Sequence, residues 1–166
     1  MPELIKHNKR PADDAGLLLH DSPVKKSLRQ GYPVSLLMID LDDFKKNNDT
    51  LGHPTGDIIL REVSTIVVES IREIDLAARY GGEEFAVVLP YSGIDWALAV
   101  ANRIRESISG HTYKNEASLK MNKITANIGV AGRSSHASTG NGLIQKADSK
   151  LLQVKQEGKN RVCVFK

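Results

Sequence analysis

The chain has 166 residues, 40% hydrophobic and 26% charged, the size and balance of one ordinary globular domain, which excludes wholesale disorder. Its 23 Lys and Arg are scattered among 20 Asp and Glu for a net charge of +3, so a nucleic-acid polymer, which needs basic residues gathered on one face, is not an expected partner. No apolar run approaches the ~20 residues of a membrane span, and the polar start Met1 to Arg10 lacks the apolar centre of a signal peptide; no membrane contact by this domain is expected.

Residues 1–14 are polar and carry Pro2 and Pro11. They read as a tail or linker, with one domain over 15–166. A helix is predicted from Ala15 to about Gln30, weakened over Asp21 to Val24 by Pro23. The nearly continuous apolar run Val34 to Ile39 predicts a central strand buried on both faces. It ends in Asp40-Leu41-Asp42-Asp43, and three carboxylates at a strand end are costly unless a cation or solvent meets them. A short helical turn over Asp43 to Asn48 follows. Pro54 to Ile71 reads as a helix, with Ile58, Ile59, Val63, Ile66, Val67 and Ile71 mostly at three- and four-residue steps. Leu76 to Tyr80 and Phe85 to Leu89 read as strands joined through Gly81-Gly82-Glu83-Glu84, a strong hairpin signal. Asp95 to Ile108 reads as a helix with Leu98, Ala101, Ile104 and Ile108 on one stripe, stopped at Gly110. Lys123 to Ala131 is a predicted strand, Ser134 to Gly142 a polar loop, Leu143 to Glu157 a helix ended by Gly158, and Arg161 to Phe165 a last short strand. That strand holds the only cysteine, Cys163, so no internal disulfide is possible. A buried structural thiol in a reducing, cytoplasmic compartment is expected.

The order strand, helix, strand, strand, helix, strand, with a helix and strand appended, suits the α+β class: an antiparallel sheet with helices packed on one face, the ferredoxin-like βαββαβ plan. In that plan the first strand lies between the third and fourth, antiparallel to the third, so Asp40 meets Glu83 and Glu84 at one sheet edge. Carboxylates gathered there repel one another. Mg²⁺, a hard cation that takes oxygen ligands from carboxylates and phosphates, removes the repulsion. Two such ions could activate a hydroxyl and steady a departing pyrophosphate. Gly81 and Gly82 allow close backbone approach to a bulky ligand. The amides near Asp43, Phe44 and Lys45 could face phosphate oxygens at a helix start. Singly, a Gly-Gly-Glu-Glu turn is an ordinary solvated hairpin, and Asp-Leu-Asp-Asp an ordinary strand end or cap.

Together these segments resemble a known family. Arg79-Tyr-Gly-Gly-Glu-Glu-Phe85 is similar to the signature of GGDEF domains, whose third position accepts Asp or Glu. Asp40-Leu-Asp-Asp-Phe-Lys45, then Asn48-Asp49 and Gly52-His53-Pro-Thr-Gly56-Asp57, resembles that family's second signature. Ala147-Asp148, Lys155 and Gly158-Lys-Asn-Arg161 resemble its C-terminal pattern. The resemblance implies a nucleotidyl-cyclase, polymerase-palm-like fold and a diguanylate cyclase. Two GTP held by a homodimer would be condensed into cyclic di-GMP and two pyrophosphates, with Mg²⁺ or Mn²⁺ as cofactor, two ions per active site. It implies metal ligation by Asp40, Glu83, the Leu41 carbonyl and Glu84, with Glu83 also the proton acceptor. Lys45 would steady charge developing on the phosphates. Phe44, Gly81 and Gly82 would line the nucleotide site with His53, Asn48 and Asp57 would read the guanine edge, and Lys155 and Lys159 would reach the outer phosphates. Arg72-Glu-Ile-Asp75 matches the family's inhibitory product site through Arg72 and Asp75, and an N-terminal sensory or receiver domain is the usual partner. A carboxylate at Asp57 accepts from guanine N1–H and its amine, a donor pair adenine lacks, so GTP is favoured over ATP. The chain departs from the pattern at Asp14-Ala-Gly-Leu-Leu-Leu, which replaces a family segment, at Lys159 where Arg is usual, and at Leu152 where Tyr is frequent. Two other readings follow: a cyclic di-GMP receptor module with little turnover, and a nucleotidyl cyclase using ATP.

Overall fold

The structure, a computed structural model, describes residues 22–113, 123–133 and 140–165. The expected tail over 1–14, the first half of the helix begun at Ala15, and the loop over 134–139 lie outside the described residues. Among the described residues ten elements follow one another: α1 (Ser22–Gln30), β1 (Val34–Asp42), α2 (Phe44–Leu51), α3 (His53–Glu69), β2 (Leu76–Arg79), β3 (Glu84–Pro90), α4 (Ile94–Gly110), β4 (Thr125–Gly132), α5 (Gly140–Glu157) and β5 (Val162–Phe165). Pro23 does not interrupt α1; it is the second residue, in the first turn, where a missing N–H costs no helical bond.

The sheet runs in the order β2-β3-β1-β4-β5. β1 pairs antiparallel with β3 and β4, as the ferredoxin-like plan requires, and β5 joins parallel to β4. All nine residues of β1 are buried. Alternation then decides the layers. Leu37, Ile39 and Leu41 point into one core with Ile59, Val63 and Val67 of α3 and Val100, Ala101 and Ile104 of α4. Leu36 and Met38 point into a second core with Val24 of α1 and Leu143, Ala147, Leu151 and Val154 of α5. The expectation of helices on one face therefore holds for α3 and α4 only. A central strand apolar on both faces needs cover on both, and the appended helix with α1 supplies the second layer.

Two details differ from the periodicity. Leu98 is 36% exposed; Ala101, Ile104 and Ile108 are buried as expected, and Ala97 and Val100 complete the buried stripe of α4 in its place. Cys163 is a half-buried free thiol rather than a fully buried one, because β5 is an edge strand. No helix among the described residues is long and apolar enough to cross a membrane.

β1 continues three residues past Ile39 because Asp40, Leu41 and Asp42 stay in register with Asn127, Ala126 and Thr125 of β4. Asp42 is buried, and the protein itself meets its charge. Its carboxylate accepts from Thr125 Oγ1 at 2.6 Å, Asn127 Nδ2 at 3.0 Å and the Asn160 amide at 3.0 Å. This cluster fastens the turn before β5 to the end of β1. α5 crosses β4 at Gly129, where an added Cβ would collide with the backbone of Ala147 and Leu151. Gly129→Ala should therefore lower stability by roughly 1–3 kcal/mol, read as a drop in the urea midpoint; an unchanged midpoint would contradict this close approach.

Candidate active site

Three segments meet at the C-terminal end of β1. Asp40 stands opposite Glu84 in the β1–β3 ladder, and the Leu41 amide donates to the Glu83 carbonyl at 3.2 Å. The hairpin closes through Tyr80 N–H and Gly81 N–H, which both donate to the Glu84 carbonyl at 2.7 and 3.2 Å. Arg79 grips its tip, donating from Nε to the Gly81 carbonyl at 3.1 Å and from Nη2 to the Gly82 carbonyl at 2.7 Å. The sequence assigned Arg79 no role; its place immediately before the turn was the available signal.

α2 begins after Asp43, whose left-handed backbone (φ 56°) turns the chain out of β1, a conformation Asp tolerates better than most residues. The Asp43 carboxylate does not cap α2; it accepts from Lys159 Nζ at 2.6 Å. α2 and α3 then fold against each other across Gly52. Their facing sides and the hairpin tip enclose a cavity of about 260 Å³ lined by Phe44, Lys45, Asn48, His53, Gly56, Asp57, Arg79, Gly82 and Glu83. An adjoining opening of about 400 Å³ shares Phe44, Lys45 and Glu83. Seven of the residues singled out in the sequence thus line one cavity. Gly56 must be glycine there, because a Cβ would run into the Asn48 amide oxygen and the Phe44 ring.

Glu84 and Asp40 take part in a second group, where α5 meets the sheet. Lys155 Nζ lies 2.7 Å from Asp40 Oδ2. Burial raises the Asp40 carboxyl above its usual value, opposed by Lys155 and reinforced by Asp42. Burial and the charge on Asp40 raise Glu83, with Glu84 adding and Lys155 and Lys45 opposing. Burial, Asp40 and Asp148 raise Glu84, again against Lys155. Asp148, which the sequence placed in a motif without a role, is itself raised by burial and lowered by Lys155. Lys155 is therefore the shared countercharge of four carboxylates. Lys159, hydrogen-bonded to Asp43, has its ammonium pKa raised. Neither lysine lines the cavity. Lys155 reaches Asp40 and Lys159 reaches Asp43 instead.

Among the described residues no three His, Cys, Asp or Glu side chains are already drawn to metal-ligand distance. The donor set still fits a hard cation. It is all oxygen, it is gathered at one sheet end, and burial and mutual repulsion disfavour its charge.

Arg72 and Asp75 sit at the opposite end of the β2–β3 hairpin from Gly81 and Gly82. Asp75 is fully buried, and its carboxylate accepts from the Arg72 amide at 2.8 Å, from Nε at 3.2 Å and from Nη2 at 2.9 Å. Arg72 also donates to Ser92 Oγ at 2.6 Å and lies 5.3 Å from the Trp96 ring centre. Its side chain is 42% exposed.

Comparison with known proteins agrees with this geometry. Residues 19–161 match the family described as "Diguanylate cyclase, GGDEF domain". The response regulator PleD of Caulobacter vibrioides is 42% identical over 86% of this chain and 31% of its own length. Diguanylate cyclase A of Treponema denticola is 40% identical over 90% of this chain and 40% of its own. The chain thus spans about a third of the length of these relatives. Among solved structures, the active GGEEF domain of a diguanylate cyclase from Vibrio cholerae superposes with a TM-score of 0.79 at 27% identity, covering 87% of this chain and 90% of that one. The GGDEF domain of DgcB from Caulobacter crescentus, in complex with c-di-GMP, gives 0.80 at 31% identity over 95% and 98%. On its motifs, its sheet order and these matches, the chain belongs to the GGDEF, diguanylate cyclase domain family.

Proposed function

We propose that this chain is a diguanylate cyclase that condenses two GTP into cyclic di-GMP and two pyrophosphates across a pair of subunits. One observation carries the reading. Carboxylates from two distant segments, Asp40 and Glu83-Glu84, share a sheet end beside a cavity lined by Asn48 and Asp57. In each of two steps a ribose 3′-oxygen forms a bond to the α-phosphorus of the facing GTP. The bond from that phosphorus to pyrophosphate breaks, and the hydroxyl proton passes to the Glu83 carboxylate, whose raised proton affinity suits a general base.

Asp40, Glu83, Glu84 and the Leu41 carbonyl would hold Mg²⁺ or Mn²⁺, two ions per site. When bound, these supply Lewis-acid activation of the hydroxyl and charge neutralisation at the leaving group. Lys45, on the wall shared by the cavity and its outer opening, would stabilise charge growing on the phosphates. Asp57 would accept from guanine N1–H and the amine, and a base without those donors leaves its carboxylate unpaired. Asp40, now paired with Lys155, would exchange that ammonium for a cation. The ammonium released from Asp40 would then be available to the outer phosphates, and Lys159 would exchange Asp43 for them in the same way.

Arg72 supports regulation by product. Buried Asp75 holds its guanidinium from one side, and the exposed remainder lies against Trp96. Such a braced guanidinium suits charge-assisted recognition of phosphate or stacking on guanine. The same feature favours the second reading, a receptor module with little turnover.

Incubating the chain with GTP and Mg²⁺ and measuring cyclic di-GMP separates the two; no product at protein concentrations where pairs form would favour the receptor. Glu83→Gln should lower turnover at least ~100-fold. Its stability effect has a fixed sign. A raised carboxyl contributes stability below the ordinary carboxylate range, and the contribution is lost as pH rises through the elevated value. At neutral pH in EDTA the variant should therefore melt no lower than the parent, and Mg²⁺ should raise its Tm less. A lower Tm in EDTA would contradict the repulsion. Arg72→Ala should weaken cyclic di-GMP binding roughly 10–100-fold and relieve inhibition by added product, measured by calorimetry and initial rates.

A further inference from the structure

One hydrogen bond spans the α2–α3 turn inside the cavity. Asn48 Nδ2 lies 3.0 Å from His53 Nδ1. An amide NH₂ only donates, so with the amide placed this way round Nδ1 is the acceptor and the ring is the Nε2–H tautomer. The other end of the amide, Oδ1, is buried without a hydrogen-bond partner and lies against Gly56, the position that cannot carry a Cβ. Both side chains share the cavity with Asp57. A half-turn about χ2 would exchange nitrogen for oxygen with little change of shape. Among the described residues, the bond to His53 is the one contact of this side chain that can tell the two ends apart, and it does so through the Nε2–H tautomer.

We infer that His53 is a positioning residue: it fixes the Asn48 amide so that its oxygen, not its nitrogen, is left for the base bound beside Asp57, selecting a purine with an amine at C2. The inference rests on the guanine reading of the cavity proposed above. A 2-amino group carries two hydrogens. Asp57 takes N1–H and one of them, and the second needs another acceptor. Asn48 Oδ1 is a buried acceptor in want of a donor, so the two deficits cancel when guanine binds. Hypoxanthine keeps N1–H and the C6 carbonyl but has no 2-amine, and so isolates this contact. An amide turned the other way would set NH₂ against the amine, donor against donor.

The test compares 3′-deoxy-GTP with 3′-deoxy-ITP in equilibrium binding to the full chain with Mg²⁺. Neither has the attacking hydroxyl, so binding is read without turnover. The parent should prefer 3′-deoxy-GTP by roughly tenfold. His53→Ala should lose most of that preference, with 3′-deoxy-GTP weakened roughly five- to tenfold and 3′-deoxy-ITP nearly unchanged. His53→Gln, whose side-chain oxygen can accept from Asn48, should restore it. A purely structural role would weaken both nucleotides alike. An unchanged ratio in His53→Ala, a Gln variant with no more preference than the Ala variant, or a parent that binds both equally overturns the role of His53 while leaving the nucleotide site intact. A parent that binds neither overturns the nucleotide site and this inference with it.

Discussion

Mutual repulsion among carboxylates at one end of a sheet is the constraint from which the rest of this structure follows. Asp40, Glu83 and Glu84 are brought together by the β1–β3 register, and burial penalises their charge before any neighbour does. Such a cluster persists only if something positive answers it. Here that is Lys155, reaching from α5 to Asp40. A single flexible ammonium is a replaceable answer.

The fold divides two tasks between two kinds of carboxylate. Asp42, next but one to Asp40, is buried and fully engaged by Thr125, Asn127 and the Asn160 amide. It is a fastening between β1, β4 and the turn before β5. Asp40 has instead a lysine that can leave. The same strand therefore presents a fixed charge and an available one two residues apart, both on the face covered by α5. The opposite face, packed on α3 and α4, contributes the cavity lined by Asn48 and Asp57, because α2 and α3 fold back against the hairpin tip held by Arg79.

The sequence made the central strand, the Gly-Gly hairpin and the sheet order legible, since each rests on local signals: a continuous apolar run, a turn dipeptide and an alternation of element types. The meeting of Asp40 with Glu83 and Glu84 followed from topology alone. The second helical layer was less legible. An apolar strand says that both faces are covered but not by what, and Leu143, Ala147 and Leu151 declare their partner only once Gly129 admits α5 to β4. Side-chain partners were least legible. Lys155 on Asp40, Lys159 on Asp43 and Asp42 among its three donors depend on contacts more than eighty residues apart, or on rotamers that no spacing records. Leu98 was misplaced because the helical stripe is wider than one row of residues.

The central claim is that this carboxylate group gives up its lysine for divalent cations when nucleotide is present. Titrating Mn²⁺ into the chain with 3′-deoxy-GTP and counting bound ions by electron paramagnetic resonance tests it most directly. Two tightly bound ions per chain are expected, with loss of at least one in Asp40→Asn and the second weakened. Full binding of both ions by Asp40→Asn, or no bound Mn²⁺ in the parent, would contradict it.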